Sequence, residues 1–373
     1  MPWQETSTMS LRQEFIELAM REKANRRELC RRFSITPKTC YKWLHRYQAE
    51  GLAGLADRSR RPRTCPKRTR HVIEQRVVRV RQAHKAWGGR TIAAHLVQRG
   101  VAAVPNPRTV HNILKRYGLI DPDQAAAHRP TQRFEHPTPN DLWQMDFKGH
   151  FAIGTGRCHP LTILDDHSRF IVLLHACTDE TAATVRPLLI ESFHRYGLPH
   201  RMLMDNGGPW GSDRDHPYTP LTVWLIRLGI RVCHGRPYHP QTQGKTERFH
   251  RTLKAELLTG RTFTDLIDCQ LHLDRFRCLY NGQRPHQALE MAVPLSRYEP
   301  SPRTYPETLP PIEYAPDDIV RKVQVDGTIY LHGGQHKIGK AFHRHPIALR
   351  PTNTDGLYNV IFCQQTIKQL DLR

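Results

Sequence analysis

The sequence predicts a multidomain protein. An all-α N-terminal third is followed by an α/β layer with a mixed sheet and then by a small all-β domain. Three observations lead to this prediction: a helical motif occurs twice in the first 120 residues, apolar strands alternate with helices over 141–298, and short alternating segments fill 318–373. Strands interleaved with helices are typical of a sheet covered by helices, and 373 residues are enough for several domains.

The positive charge is concentrated in the all-α third. The chain has a net charge of +21, and residues 1–119 hold 26 Lys and Arg against 8 Asp and Glu, whereas the other 254 residues hold 30 against 27. A polyanion is therefore the expected partner, and nucleic acid is favoured because neutralising phosphates releases counterions. An anionic membrane is the alternative, but no amphipathic lipid-facing helix stands out and no apolar run approaches the ~20 residues that cross a bilayer.

The cysteines and the N-terminus bear on the compartment. Nine cysteines are scattered singly, without a C-x-x-C pair. This pattern disfavours a disulfide framework or a cysteine zinc site and suits free thiols in a reducing compartment. The first residues, MPWQETSTMSLRQEF, lack the basic-then-apolar pattern of a signal peptide. We therefore expect a cytoplasmic protein.

One helical motif occurs twice in the basic N-terminal third of the chain. TPKTCYKWLHRY (36–47) and NPRTVHNILKRY (106–117) align without a gap, each with an N-cap residue followed by proline. Helical patterns precede both, so helix-turn-helix domains are predicted at 1–56 and 71–120, each with its last helix entering the major groove at its N-terminal end. Ordinary three-helix bundles are the alternative, but they leave the charge unexplained. The predicted DNA-contacting residues are Lys38, Thr39, Lys42, Arg108, Thr109 and Asn112.

The connecting segments are rich in proline or charge. The basic segment 57–70, DRSRRPRTCPKRTR, is interpreted either as an extended arm that places Arg60, Arg61 and Arg63 on DNA or as a solvated linker. Segments 121–140 and 299–317 are predicted to be linkers on either side of the α/β domain at 141–298.

Several acidic residues in the α/β region are placed where metal chemistry is feasible. Asp146 lies in the alternating strand LWQMDFKGHFAI, Asp205 ends a short buried strand, and Glu247 lies on a helix. Three carboxylates brought together can bridge two cations ~3.5–4 Å apart and promote phosphodiester cleavage. Oxygen ligands select Mg²⁺ or Mn²⁺. Periodicity alone does not select these acids, because Glu247 could simply pair with Arg251, and further candidates are Asp165, Asp166, Asp213 and Asp215.

Five segments within residues 136–298 resemble the catalytic core of DDE-type insertion-sequence transposases: WQMDFKG, LDDHSRFIV, MDNGGPW, RPYHPQTQGKTERFHRTLK and YNGQRPHQALE. The resemblance implies the RNase H-like fold of retroviral integrases. It also implies that Asp146, Asp205 and Glu247 are the catalytic residues and hold two Mg²⁺ or Mn²⁺ ions, while Asp165 and Asp166 serve the fold. By the same resemblance Lys254 contacts DNA near the reactive phosphate.

Two stretches around these motifs stay open. Gln241, Gln243 and Lys245, just ahead of Glu247, lie near the DNA end in the family, although a simple polar loop is the alternative. The 41 residues between the second and third acids exceed the family's usual spacing. The turn-rich segment 209–220 accounts for the excess as a surface loop, which leaves a role for Asp213 or Asp215 open.

The C-terminal segment 318–373 alternates polar and apolar residues. Asp-Gly pairs at 326–327 and 355–356 predict hairpin turns. The segment resembles the SH3-like barrel that follows the core in related transposases, where it would contact DNA or another subunit.

The resemblance as a whole implies a transposase that binds the ends of its insertion sequence, cuts with water as nucleophile and joins the resulting 3′-hydroxyl to target DNA. Double-stranded DNA, from both element ends and target, is the expected partner, with no membrane. A homodimer or larger assembly is expected because two ends must be handled together. The single uninterrupted frame suits a bacterial, nucleoid-associated protein. A DNA-binding regulator with an inactive core and a nuclease that cuts without joining are the alternatives.

Overall fold

The computed structural model describes residues 7–59, 68–120, 135–211, 217–235 and 244–373. The chain divides into two compact units, one ending at Arg68 and the other beginning at Thr69. Within the described ranges, no helix has both the length and the apolar character needed to span a membrane.

The first unit is a three-helix domain made of α1 (Thr8–Ala19), α2 (Arg26–Arg32) and α3 (Pro37–Glu50). Its predicted N-cap is present, because Thr36 Oγ1 accepts a hydrogen bond from the backbone N–H of Thr39 at 3.3 Å. Cys40, Trp43 and Leu44 are buried in one apolar cluster with α1. The polar face of α3 therefore points to solvent, and Lys38 and Lys42 are exposed.

The second unit begins with a matching three-helix domain: α4 (His71–Ala83), α5 (Gly89–Gln98) and α6 (Pro107–Arg116). Asn106 Oδ1 caps α6 by accepting the backbone N–H of Thr109 at 2.9 Å. Val110, Ile113 and Leu114 are buried, whereas Arg108 and Asn112 are exposed. The repeated motif thus forms the same capped, amphipathic helix at both places.

A six-stranded mixed sheet forms the centre of the second unit. Its strands are β1 (Leu142–Phe147), β2 (Phe151–Ile153), β3 (Gly156–Asp165), β4 (Ile171–Cys177), β5 (Arg201–Met204) and β6 (Arg231–His234). The order is β2–β3–β1–β5–β6, with β4 also paired to β3. Strand β1 is antiparallel to β3 and parallel to β5. The predicted strand LWQMDFKGHFAI is two strands, because Gly149 adopts a φ of 80° between them.

Helices cover both faces of this sheet. They are α7 (Ala182–Tyr196), α8 (Pro220–Arg227), α9 (Gly244–Leu253) and α10 (Leu266–Gly282), and a π-helical turn (Lys254–Leu258) follows α9. Phe249, Leu253 and Leu257 pack with α10 and strands β3 and β4. As predicted, Glu247 and Arg251 lie on the face of α9 opposite to these apolar residues, Lys254 begins the π-helical turn on the same side, and all three are exposed.

The C-terminal segment is a small, wholly antiparallel β domain. Its strands are β7 (Ile319–Lys322), β8 (Thr328–Leu331), β9 (Gly334–Lys337), β10 (Pro346–Pro351), β11 (Leu357–Phe362) and β12 (Gln365–Asp371), which form a four-stranded sheet, β12–β11–β10–β7, and the pair β8–β9. The hairpin predicted at 355–356 is confirmed by the pairing of β10 with β11.

The turn predicted at 326–327 is present, because the backbone N–H of Gly327 donates to the Gln324 carbonyl oxygen at 3.0 Å and that of Gln324 donates to the Thr328 carbonyl oxygen at 2.8 Å. The hairpin does not extend beyond this turn, because β7 pairs with β10 and β8 pairs with β9. Gly327 does lie in a turn, with a φ of 84°. Its carbonyl oxygen accepts the backbone N–H groups of Ile338 and Gly339, so this turn also holds the end of β9.

Candidate active site

The sheet places two of the predicted acids side by side. In the parallel pair β1–β5, Trp143 lies opposite Met202 and Gln144 lies opposite Leu203. Continuing this register by two residues places Asp146 beside Asp205. Adjacent strands are about 4.8 Å apart, and the carboxyl ends of parallel strands meet at one edge of a sheet. The strand register therefore accounts for the proximity of these two aspartates, and their catalytic role stays a prediction.

The loop after β5 holds the carboxylate of Asp205. Its Oδ1 accepts hydrogen bonds from the indole Nε1–H of Trp210 and from the backbone N–H of Gly207, the latter at 3.0 Å. Within the described part of the chain both of these bonds reach Oδ1. Trp210 is only 1% exposed, and its ring stacks on Phe147 with 5.4 Å between centroids. The same indole therefore holds the Asp205 carboxylate and packs on the residue that follows Asp146.

Glu247 approaches the pair from α9, one turn before His250. Burial, and then the negative charges of Asp205, Glu247 and Glu180, together raise the pKa of the Asp146 carboxyl to about 7, against a backbone hydrogen bond at Phe147 that lowers it. Asp205 and Glu247 are thus close enough to Asp146 to oppose its ionisation. Such a cluster stabilises a positive ion placed among its members, because every carboxylate then gains an opposite charge.

The fit of this cluster to a divalent cation can be judged from its donors. Carboxylate oxygens are the ligands that Mg²⁺ and Mn²⁺ prefer, and the mutual repulsion at Asp146 is the charge pattern that a cation relieves. In the ranges that the structure describes, no three His, Cys, Asp or Glu side chains already stand in position to hold a metal. The donor set therefore fits the ion in chemistry and charge, but it is not a preformed cage.

His250 is a site residue that the sequence analysis missed. Its Nε2 forms a 3.0 Å hydrogen bond with the hydroxyl of Thr162, the cross-strand partner of Asp146, and its Nδ1 lies 3.7 Å from Asp146 Oδ2. Burial lowers the pKa of the imidazole to about 3, with a further contribution from Lys148, so the ring is neutral. The available signal was its spacing, one helical turn beyond Glu247.

Lys245, expected near DNA, lies against a buried carboxylate in this structure. Its ammonium group forms an ion pair with the side chain of Asp166 and donates to the Asp166 carbonyl oxygen at 3.1 Å. Burial lowers the pKa of Lys245 to about 8, with the charge of Arg169 acting in the same direction. A contact of Lys245 with DNA therefore requires that this ion pair be broken first, and it stays a prediction.

The two acids of the DDHSR segment have structural partners. Asp166 accepts hydrogen bonds from the backbone N–H of His136 at 2.9 Å and from Gln144 Nε2 at 2.8 Å. Asp165 is fully buried and accepts the backbone N–H groups of Ser168 and Asn140, both at 2.8 Å. These bonds agree with the expectation that both acids serve the fold rather than the metal.

The predicted DNA-contacting residues divide into exposed and undescribed positions. Lys38, Lys42, Arg108, Asn112 and Lys254 are exposed, and Thr39 and Thr109 are half-buried at the first turns of α3 and α6. The remaining predictions lie outside the described residues: Arg60, Arg61, Arg63, Gln241 and Gln243, together with the open candidates Asp213 and Asp215.

Comparison with protein families gives a consistent domain content. Residues 136–240 and 228–294 each match the Integrase core domain, and residues 318–373 match the IS481 family transposase C-terminal domain. Residues 11–63 match a Helix-turn-helix domain and residues 39–114 a Homeodomain-like domain. This combination bears out the resemblance to DDE-type insertion-sequence transposases with a retroviral-integrase-like core.

Three sequence relatives show how far the similarity extends. An uncharacterized 39.2 kDa protein of insertion element IS476 from Xanthomonas euvesicatoria is 25% identical over 64% of this chain and 67% of its own length. An uncharacterized 31.7 kDa protein of IS407 from Burkholderia multivorans is 23% identical over 61% of this chain and 81% of its own length. A Pro-Pol polyprotein of simian foamy virus type 3 is 29% identical over 46% of this chain but only 15% of its own length.

Two solved structures are also similar. A chain of the simian T-cell lymphotropic virus intasome, in complex with PP2A regulatory subunit B56 gamma, aligns over 76% of this chain and 91% of its own, with 15% identity and a TM-score of 0.39. The HTLV-2 integrase catalytic core domain, in complex with magnesium, aligns over 44% of this chain and 99% of its own, with 15% identity and a TM-score of 0.34.

Proposed function

Because the chain joins helix-turn-helix domains, an integrase core and an insertion-sequence transposase C-terminal domain, we propose that it is a DNA transposase. It binds the ends of its own insertion sequence and catalyses their cleavage and their transfer into target DNA. The observation that carries the proposal is the register of β1 and β5, which sets Asp146 beside Asp205 while Glu247 acts on the same carboxyl group from α9.

In this proposal Asp146, Asp205 and Glu247 hold two Mg²⁺ or Mn²⁺ ions. When bound, such ions activate the attacking oxygen and stabilise the leaving oxygen of an in-line phosphoryl transfer. Trp210 and Gly207 hold one oxygen of Asp205, and the other would serve as a metal ligand. His250, being neutral, adds no positive charge that would compete with them. Water is the first nucleophile, and the 3′-hydroxyl that it releases is the second.

The surrounding domains supply DNA and assembly. The exposed faces of α3 and α6 read the element ends, Lys254 lies near the reactive phosphate, and the segment containing Arg60, Arg61 and Arg63 follows the DNA. Gln241, Gln243 and Lys245 lie near the cut end, Lys245 after release from Asp166. The C-terminal domain, which we propose to be SH3-like, contacts DNA or a second subunit in a dimer or larger assembly. The protein acts in the bacterial cytoplasm on nucleoid DNA.

The test is incubation of the protein with labelled element-end duplex and Mg²⁺, in parallel with Glu247→Gln. A transposase yields cut ends and joined products, and the variant yields neither while it still binds the duplex. Binding without cutting would show a DNA-binding regulator, and cutting without joining would show a nuclease. Either result with the wild-type protein overturns the proposal.

A further inference from the structure

The second helix-turn-helix domain is attached to the integrase core by specific hydrogen bonds. Gln98 Nε2 donates to the carbonyl oxygen of Met291 at 2.8 Å, and Arg99 Nη2 donates to Gln283 Oε1 at 2.6 Å. His95 Nδ1 lies 3.3 Å from the carbonyl oxygen of Gln283. All three donors or acceptors of the domain lie near the C-terminal end of α5, so this end of α5 is the docking edge.

A buried aromatic contact lies beside these bonds. Trp87 is fully buried, stacks on His84 with 4.0 Å between ring centroids, and donates its indole N–H to Glu256 Oε2 at 3.2 Å. The Glu256 side chain is 4% exposed, and its other oxygen lies 3.6 Å from Arg284 Nε. Leu279 of α10 packs on the apolar cluster of the same helix-turn-helix domain. The contact therefore has a buried aromatic and apolar part beside the exposed hydrogen bonds of α5.

The core side of this interface is the motif YNGQRPHQALE, residues 280–290, to which the catalytic chemistry assigns no role. Asn281 fixes the motif to the sheet, because its side chain accepts the backbone N–H of Ile171 at 2.9 Å and donates to the carbonyl oxygen of Ile171 at 3.0 Å. Gln283 follows two residues later and receives Arg99. The motif thus joins the helix-turn-helix domain to the edge strand β4.

The same interface reaches the helix that carries Glu247. Glu256 lies in the π-helical turn Lys254–Leu258, which continues directly from α9. The indole of Trp87 therefore holds the far end of the element on which the third catalytic acid sits.

The docked domain keeps its DNA-reading face free. Docking uses α5 and the segment between α4 and α5, whereas Arg108 and Asn112 are exposed on α6. A helix-turn-helix domain enters the major groove with that part of its last helix. The domain can therefore read DNA while it remains attached to the core.

We propose that the motif at 280–290 is a docking platform for the second helix-turn-helix domain, and that the docked domain sets the cleavage position at a fixed distance from the sequence it reads. This inference rests on the proposed transposase function. The domain acts as a ruler because one interface joins it, through α5 and Trp87, to both the motif and the turn that continues α9.

The first experiment uses end duplexes with about five base pairs, roughly half a helical turn, inserted between the footprint of the second domain and the cut site. The full-length protein is expected to cut at an unchanged distance from the footprint, so that the cut moves away from the original terminal sequence by the inserted length. An insertion on the far side of the footprint is expected to leave the cut where it was. A cut that stays with the original terminal sequence overturns the inference.

The second experiment loosens the interface. Combining Trp87→Phe, Gln98→Ala and Arg99→Ala should leave the footprint of the second domain unchanged and spread the cuts over several neighbouring phosphates. Gln82→Ala, at an exposed position of α4, is the matched control and should cut like the wild type. Gln283→Ala, which changes only the core side, repeats the test if the triple variant does not fold.

The outcomes separate the two proposals. Wild-type protein that binds the duplex but never cuts it defeats the proposed function. If the wild-type protein cuts and the interface variants also cut at a single position, the proposed function is supported and the proposed role of the docked domain in setting the cut position is wrong.

Discussion

Replacing Asp146 with asparagine should stabilise the metal-free protein, and the effect should grow with pH. Burial, and then the charges of Asp205 and Glu247, raise the pKa of this carboxyl from 3.8 to about 7. The folded protein therefore keeps a proton that the unfolded chain loses near pH 4. Because the folded state binds more protons across this window, its stability falls as the pH rises through it, and the full cost is present above about pH 7.

The size of the effect follows from the same shift. A shift of about three pKa units corresponds to about 4 kcal/mol at 1.36 kcal/mol per unit, which is an upper bound. The Asp146 side chain is 21% exposed, so we expect about 2 kcal/mol once solvent screening is included. The measurement is urea unfolding of wild type and Asp146→Asn in chelator, at pH values on either side of this window. Wild type should lose about 2 kcal/mol more than the variant as the pH rises.

Adding Mg²⁺ gives the complementary result. At about 100 times its dissociation constant, a ligand of the folded state stabilises by about 2.7 kcal/mol, so Mg²⁺ should restore the wild type at high pH and leave Asp146→Asn nearly unchanged. Asp355→Asn is the control, because it lies in a hairpin turn where Asn-Gly is as suitable as Asp-Gly. Parallel pH dependence of wild type and Asp146→Asn, or equal stabilisation of both by Mg²⁺, would refute the reasoning.

Three further predictions concern the residues around the acids and the DNA. Trp210→Phe should weaken Mn²⁺ binding by about tenfold in calorimetry, because it removes a hydrogen bond to a metal-ligating carboxylate, whereas Trp224→Phe, a buried core control, should not. Lys245→Ala should lower the free energy of unfolding by about 3 kcal/mol because Asp166 loses its buried partner, while Lys254→Ala should leave stability unchanged and weaken DNA binding. Lys38→Ala and Arg108→Ala should each remove protection at a separate part of the DNase footprint. Unchanged footprints in both variants would contradict the hypothesis that two helix-turn-helix domains bind separate parts of one site.

Local sequence signals predicted the helix-turn-helix domains well. The caps at Thr36 and Asn106 and the proline after each are short-range features, and the structure has both hydrogen bonds. The alternation of strands and helices likewise gave the mixed sheet. The turn at 326–327 was also predicted, but the pairing of the strands beside it was not, since β7 pairs with β10 across an intervening strand pair and no local turn residue encodes that choice.

The candidate site was predictable only in part. Asp146 and Asp205 end strands, and a parallel pairing of those strands brings them together, but the periodicity gave no means of choosing them over other acids before the family resemblance was considered. The contact of Trp210 with Asp205 could not be predicted from the segment MDNGGPW, because an indole hydrogen bond to Asp205 depends on how the loop folds back. The interface role of Gln98 and Arg99 could not be predicted either, since exposed polar residues at a helix end have no distinctive sequence pattern.

Helix α9 is held at three places along its length, and this limits how the active site can close. Lys245 pairs with Asp166 at its first turn, His250 bonds to Thr162 in the middle, and Glu256 receives Trp87 just beyond its end. A helix anchored in this way cannot slide toward the sheet without breaking one of these contacts. The adjustment that brings the carboxylates onto shared ions must therefore come from the exposed side chain of Glu247 and from the other oxygen of Asp205. A metal-bound structure should accordingly show new side-chain rotamers on an unmoved α9.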